Sequence, residues 1–279
     1  MRPFREYGIV SNCWKFQLQS GQLLTGLLSE AVERGFRHVE LRQGFLGEFE
    51  TIAGDAARSA DARDLLDELT LRFPELQMNL AISIPCFGDA LDDDDPGFRE
   101  GLAAAIALSR GRAPHLRIVD TQTRTVTLSP ETRQRAARRL VQMTRSLIEV
   151  GGMLTVEHAY QAWSDFWSVF HAARQQLRDQ ALQLRCCFDP CNLLITEPVS
   201  SVAAIVDSVL PDTASMIHLK QRRDGQILPR LETGDLDWRH LMALLDRHGH
   251  RGPWFFEIAP DSDVWQNLEQ AKSMVEQFG

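Results

Sequence analysis

Four polar residues each close a short apolar run. Glu157 follows Leu154-Thr155-Val156, Asp189 follows Cys186-Cys187-Phe188, His218 follows Ser215-Met216-Ile217, and Glu257 follows Trp254-Phe255-Phe256. A carboxylate taken out of water without a partner is costly. Three of them brought together repel one another unless a cation neutralises them. One imidazole nitrogen and three carboxylates make a donor set for one divalent ion, with Mn2+, Mg2+ or Co2+ favoured and Zn2+ admitted. Taken singly, a glutamate at a strand end is ordinarily a salt-bridge partner and a histidine a hydrogen-bonded core residue. The metal reading rests on all four falling at the same place in successive units.

Other residues are expected to share the place where these four meet. Lys220 has the parity of His218 two residues further on and should overhang the site. Glu40 and Arg42 share parity, and an inward ion pair between them is the simplest expectation. His158 follows Glu157 and should point the opposite way unless the strand has already ended; it is a substrate-contact candidate. Asn192 could hydrogen-bond a substrate hydroxyl or make the turn after Asp189. Trp14, which follows the first strand with Asn12, could wall a sugar-like ligand or cap the core. Arg42, Lys220 and Arg222 leave a phosphorylated substrate open, although no Gly-rich phosphate loop is present.

The elements that must position these residues follow a regular beat. β-like runs at residues 7–11, 38–42, 77–85, 115–120, 153–158, 184–189, 215–220 and 253–258 alternate with amphipathic runs at 21–34, 55–73, 97–110, 130–150, 164–180, 198–210, 237–248 and 264–277. Pro130 suits the first turn of a helix, where its missing N–H costs nothing. Gly151-Gly152 ends that helix. Strands alternating with helices imply a parallel sheet with right-handed crossovers. Eight such units predict a single (β/α)8 TIM barrel over residues 1–279, and its active site would lie at the C-terminal ends of the strands. A doubly wound open sheet is the alternative; no G-x-G-x-x-G after the first strand supports it. The acidic run Asp92–Asp95 reads as a solvated loop.

Composition narrows the function classes. The 279 residues carry a net charge of −8, which argues against nucleic-acid or anionic-membrane partners. The five cysteines form neither a disulfide framework nor a zinc-ribbon spacing. The first residues lack the apolar core of a signal peptide, and no run is long enough to span a bilayer, so a cytoplasmic location is expected.

At GFRHVELR (35–42), LTVEH (154–158), FDPCN (188–192), IHLK (217–220), LETGDLDW (231–238) and FFEI (255–258) the chain resembles the xylose isomerase-like TIM-barrel superfamily, which includes sugar phosphate isomerases and epimerases. The resemblance covers nearly the whole chain. It implies that Glu157, Asp189, His218 and Glu257 hold one catalytic divalent metal. It also implies that Glu157 and Glu257 act as the acid/base pair on opposite faces of a bound sugar. The sequence departs from that family at three places: Asn192 stands where many relatives have His, Trp163 where ketose 3-epimerases have Glu, and Gln221 where Asp is usual. Arg222 or Arg223 is in position to supply the family's substrate-contacting Arg. The three-metal endonucleases of the group are disfavoured, because strands three and four end in Ile84-Pro85-Cys86 and Val119-Asp120-Thr121 without the extra histidines.

The expected activity is therefore proton transfer on a small, carbohydrate-like carbonyl substrate, as an isomerase or epimerase. A dehydratase of an inosose- or dehydroshikimate-like substrate is the closest competitor, with His158 or Lys220 as the acid. A barrel that binds without turnover is the remaining class. Barrels of this family often pair, so a homodimer is also open.

Overall fold

The computed structural model describes residues 5–50, 66–88, 95–124, 126–208 and 213–278. Eight parallel strands close on themselves: β1 (Tyr7–Val10), β2 (His38–Arg42), β3 (Gln77–Ser83), β4 (His115–Val119), β5 (Met153–Glu157), β6 (Leu184–Phe188), β7 (Ala214–Leu219) and β8 (Trp254–Phe256). Each pairs with its sequence neighbour, and β1 pairs with β8 through Tyr7–Trp254, Gly8–Phe255 and Ile9–Phe256. That last pairing decides for a barrel over an open sheet.

Outer helices return the chain between strands: α1 (Leu24–Glu33), a segment helical over 66–72 that we call α2, α3 (Pro96–Ser109), α4 (Pro130–Glu149), α5 (Trp163–Leu177), α6 (Val199–Ser208), α7 (Trp238–Arg247) and α8 (Val264–Gln277). Their start signals are local. Ser129 caps α4 by accepting the Thr132 amide, with Pro130 in the first turn, and Gly151 leaves the helix at φ 73°. Asp95 caps α3 by accepting the amides of Gly97 and Phe98. The rest of the acidic run, and residues 55–65 of the second expected helix, lie outside the described residues. Among the described residues no helix is long and apolar enough to cross a membrane.

Except for β2, the sequence-read strands run one or two residues too far at their C-terminal ends. Asp189 and Glu257 are thus the first residues after β6 and β8, where side chains leave the sheet for the mouth. An antiparallel hairpin, Arg222–Arg223 with Gln226–Ile227, was not expected after β7. Its turn is Asp224-Gly225 with φ of 50° and 80°, the pair of positive angles that a two-residue hairpin turn requires.

Most apolar side chains fill the layer between sheet and helices. A smaller set inside the barrel comprises Val10, Cys187, Met216 and Phe255. The remaining interior positions are unusually polar, with Glu40, Asn79, Arg117 and Thr155 all buried.

Candidate metal centre

β5 delivers Glu157 as its last residue and β7 delivers His218 near its end, while Asp189 and Glu257 stand immediately beyond β6 and β8. All four are at most 5% exposed. One donor atom from each lies within 4.8 Å of the other three. Donors on opposite sides of an ion held at ~2.1–2.4 Å are themselves ~4.2–4.8 Å apart, so the four can close round one cation with little movement.

Local bonding aims the donors inward. Asp189 Oδ1 accepts the amides of Cys191 at 2.8 Å and Asn192 at 3.0 Å, capping the short helix Pro190–Leu193. Its Oδ2 is thereby turned into the cluster, where it accepts no hydrogen bond. His218 Nδ1 faces Glu257 Oε2 at 3.1 Å, Glu157 Oε1 at 3.6 Å and Asp189 Oδ2 at 3.9 Å. Its Nε2 faces Glu40 Oε1 at 3.4 Å. An ion taken through Nδ1 would leave the other ring N–H for Glu40, an arrangement that fixes the tautomer of a metal-binding histidine. The donor set and the unsatisfied Asp189 oxygen both fit a divalent cation.

Three side-chain cations already surround the carboxylates. Arg117 Nη1 lies 2.6 Å from Glu157 Oε2. Arg117 also donates to Glu40 Oε1 through Nε, at 3.1 Å, and Nη2. Glu40 Oε2 accepts from Asn79 at 2.8 Å. Glu257 Oε1 accepts from Arg42 at 2.6 Å and Asn12 at 2.9 Å, and its Oε2 accepts from Lys220 at 2.7 Å. Lys220 Nζ also sits 2.6 Å from Asp189 Oδ2, off the angle of a hydrogen bond. Burial pushes Glu157 and Glu257 up, but Arg117 beside the first and Lys220 beside the second hold both below the usual carboxylate range, Glu257 well below. At Asp189 burial wins over Lys220 and the carboxyl is raised. Burial pulls His218 down, but Cys187 first, and then the facing carboxylates of Glu157 and Glu257, raise it well above its ordinary value.

Above the cluster lies a cavity of about 120 Å3 lined by Arg42, Thr121, Tyr160, Asn192 and Lys220, with Glu157 and Glu257 on its floor. Of the residues expected there, Arg42, Lys220 and Asn192 are present. Asn192 Nδ2 is occupied, donating to Glu157 Oε1 and the His158 carbonyl, both at 2.9 Å.

Four expectations need correction. His158 is turned away from the mouth, donating through Nε2 to the Gln161 carbonyl at 2.6 Å and packing edge-on against Trp163 and Phe166. Trp14 is fully buried and packs on Trp265 with ring centroids 5.6 Å apart, so it caps the core and walls no ligand. Arg222 lies in the hairpin and does not line the cavity. Glu40 and Arg42 do not pair with each other: Glu40 goes down the barrel axis to Arg117, and Arg42 reaches Glu257.

Arg117 and Asn79 are the buried polar partners of the carboxylates that sequence reading missed. Their signal was an Arg, and an Asn, inside the apolar runs His115–Val119 and Gln77–Ser83, where a parallel strand buried on both faces has no place for an unpaired charge. Cys187 also forms a close set with Glu157 and His218. Burial pushes its thiol to about 12, so it stays protonated and competes poorly with carboxylates as a donor. Gln221 and Trp163 have structural work: Gln221 ties the Leu236 backbone to the loop after β7, and Trp163 stacks on Phe166 and Trp167.

No family profile matches the sequence, and no curated protein does. Solved structures do match in fold over nearly the whole chain. A xylose isomerase domain protein from Alicyclobacillus acidocaldarius subsp. acidocaldarius superposes with a TM-score of 0.64 at 18% identity, covering 98% of this chain and 97% of that one. The IOLI protein, crystallised with a zinc atom, gives 0.65 at 12% identity, covering 98% and 97%. D-allulose 3-epimerase from Methylomonas sp., in complex with D-allulose, gives 0.65 at 17% identity, covering 99% and 98%. The chain thus has the xylose isomerase-like TIM-barrel fold, with a buried Glu/Asp/His cluster at the C-terminal ends of its strands.

Proposed function

We propose that the protein is a divalent-metal-dependent isomerase or epimerase that moves a proton on a small polyhydroxylated carbonyl compound. The observation that carries this reading is the buried cage of Glu157, Asp189, His218 and Glu257 beneath a small polar cavity. The sugar epimerases among the fold neighbours support it. When bound, a divalent cation would polarise a carbonyl and its neighbouring hydroxyl, acidify the C–H between them and stabilise the resulting enediolate.

The chain's own residues supply the rest. Glu157 and Glu257 enter the cavity floor from β5 and from beyond β8, so each can address a different part of a substrate held between them. Both are held as carboxylates, the form that accepts a proton. Arg117 and Asn192 fix Glu157 from two sides, and Arg42 and Asn12 fix Glu257. Lys220 and Arg42 offer N–H donors for substrate oxygens at the rim. His158 faces the helix layer and is not available as the acid of an elimination, which leaves Lys220 as the one candidate for that role.

The test is metal analysis followed by solvent exchange. Purified protein should take up about one divalent ion per chain. Wild-type protein loaded with Mn2+ should carry solvent deuterium into a member of a panel of ketoses, sugar phosphates and inososes, and Glu157→Gln and Glu257→Gln should not. A protein that takes up no divalent ion, or variants that exchange as fast as wild type, would sink the proposal.

A further inference from the structure

A second cavity lies at the other end of the barrel. It encloses about 610 Å3, and its walls come from the N-terminal ends of the strands and the turns that lead into them. His38, His115 and Met153 open β2, β4 and β5, and Ser215 and Met216 lie at the start of β7. A strand length of roughly 15 Å separates this cavity from the metal centre. That volume is in the range of cavities that hold small organic ligands.

Its lining specifies a ligand. Met153, Met216 and Phe255 give the lining apolar, polarisable surface, with Met216 and Phe255 fully buried. Thioether and ring edges of this kind favour an aromatic face. One acceptor is left over. Asn79 is 4% exposed and lines the cavity; its Nδ2 donates to the Glu40 carboxylate at 2.8 Å, which fixes the orientation of the amide. The opposite end, Oδ1, therefore has to be the carbonyl oxygen, and it accepts no hydrogen bond from the described residues. His115 is held neutral, since burial pushes it down to about 4, and it spends Nε2 on Thr155 Oγ1 at 2.7 Å. The charged side chains of the lining, Glu75 and Arg112, are exposed at the rim. A charged group carried into the depth would find no counter-charge there.

We propose that this lower cavity is a second ligand site, separate from the metal centre, which takes a neutral aromatic molecule carrying an O–H or N–H donor for Asn79 Oδ1. The donor meets Asn79 while the ring lies among Met153, Met216 and Phe255.

The test uses 2-naphthol as probe and 2-methoxynaphthalene, which lacks the donor, as its control. Full-length protein labelled with 13C at the methionine methyls should bind 2-naphthol saturably at one per chain, with shifts at Met153 and Met216. The methoxy compound should bind at least tenfold more weakly. Met153→Glu should abolish 2-naphthol binding while leaving Mn2+ uptake at the upper site unchanged, which also shows that the variant folds. No saturable binding, equal affinity for the two probes, or full binding by a folded Met153→Glu protein would each overturn the proposal. If Met153→Glu does not fold, the two-probe comparison and the wild-type methyl shifts decide by themselves.

Discussion

Arg117 is the residue on which the polar interior depends most, and replacing it by Met makes that dependence measurable. Its guanidinium is fully buried and serves two buried carboxylates, Glu40 along the axis and Glu157 at the site. Each pair, at about 4 Å between charge centres and an effective dielectric of about 20, is worth about 4 kcal/mol before desolvation is counted. Met roughly conserves the aliphatic stem but strands both carboxylates. Removing one partner of a buried pair typically costs about 3–5 kcal/mol, because the other charge is left uncompensated. Glu40 has no water to turn to, and its next-nearest cation is His218 at 3.4 Å. Urea unfolding at pH 7 in the presence of a chelator should therefore show Arg117→Met destabilised by about 3–5 kcal/mol. Adding Glu40→Gln removes the stranded charge, and the double variant should recover at least about 1 kcal/mol of that loss, a coupling that independent sites would not show. A single variant that loses less than about 1 kcal/mol, or a double variant whose losses simply add, would refute the view that Arg117 holds these carboxylates in place.

Three further outcomes follow from the same geometry. A divalent ion at a hundredfold its Kd should stabilise the protein by about 2.7 kcal/mol over the chelated form; unfolding midpoints that ignore Mn2+ and chelator alike would speak against the cage. Lys220→Met should bind Mn2+ at least tenfold more tightly by calorimetry, since the ammonium lies 2.6 and 2.7 Å from two of the same carboxylates; equal or weaker binding would show that Lys220 does not compete. His158 is held neutral by burial at about 4, below its ordinary value of 6.5. Its contribution is therefore complete above pH 6.5 and is lost as pH falls towards 4, at most about 3 kcal/mol from a shift of this size. Stability of the chelated protein measured at pH 7 and pH 4.5 should fall less in His158→Gln than in wild type, and parallel losses would contradict the assignment.

The order of elements was legible because the hydrophobic period alternates between strand and helix all along the chain, and some helix starts carry a local signal, as at Ser129-Pro130. The four cage residues were legible for a related reason: each is a charge or imidazole at the end of an apolar strand, with no local partner to excuse it. What the sequence hid were relations between strands. Glu40 and Arg42 look like a pair because they share a strand face, but side chains two apart on a strand diverge along its length, while Arg117 comes from β4 across the barrel interior. His158 was ambiguous because a strand's last residue decides which way its successor points; β5 ends at Glu157, and the Gln161 carbonyl captures the ring on the outer side. Trp14 could be read either way until Trp265 of α8 supplied its partner.

The interior of a TIM barrel is ordinarily packed with branched apolar layers. Here a chain of hydrogen bonds and ion pairs runs from Asn79 through Glu40 and Arg117 to Glu157, inside that layer. Such a chain gives little net stability over an apolar core of equal volume, so its value must lie in what it holds. It fixes Oε2 of Glu157, while Oε1 accepts from Asn192 and faces His218. On the opposite side Arg42 and Asn12 fix Oε1 of Glu257, while Oε2 accepts from Lys220 and faces His218. The cage is therefore assembled by protein cations before any metal arrives, and ion binding need not order it. That separates this site from small metal domains whose fold forms only with the ion: metal should raise the unfolding midpoint while the far-UV and methyl spectra of the chelated protein already show the barrel intact.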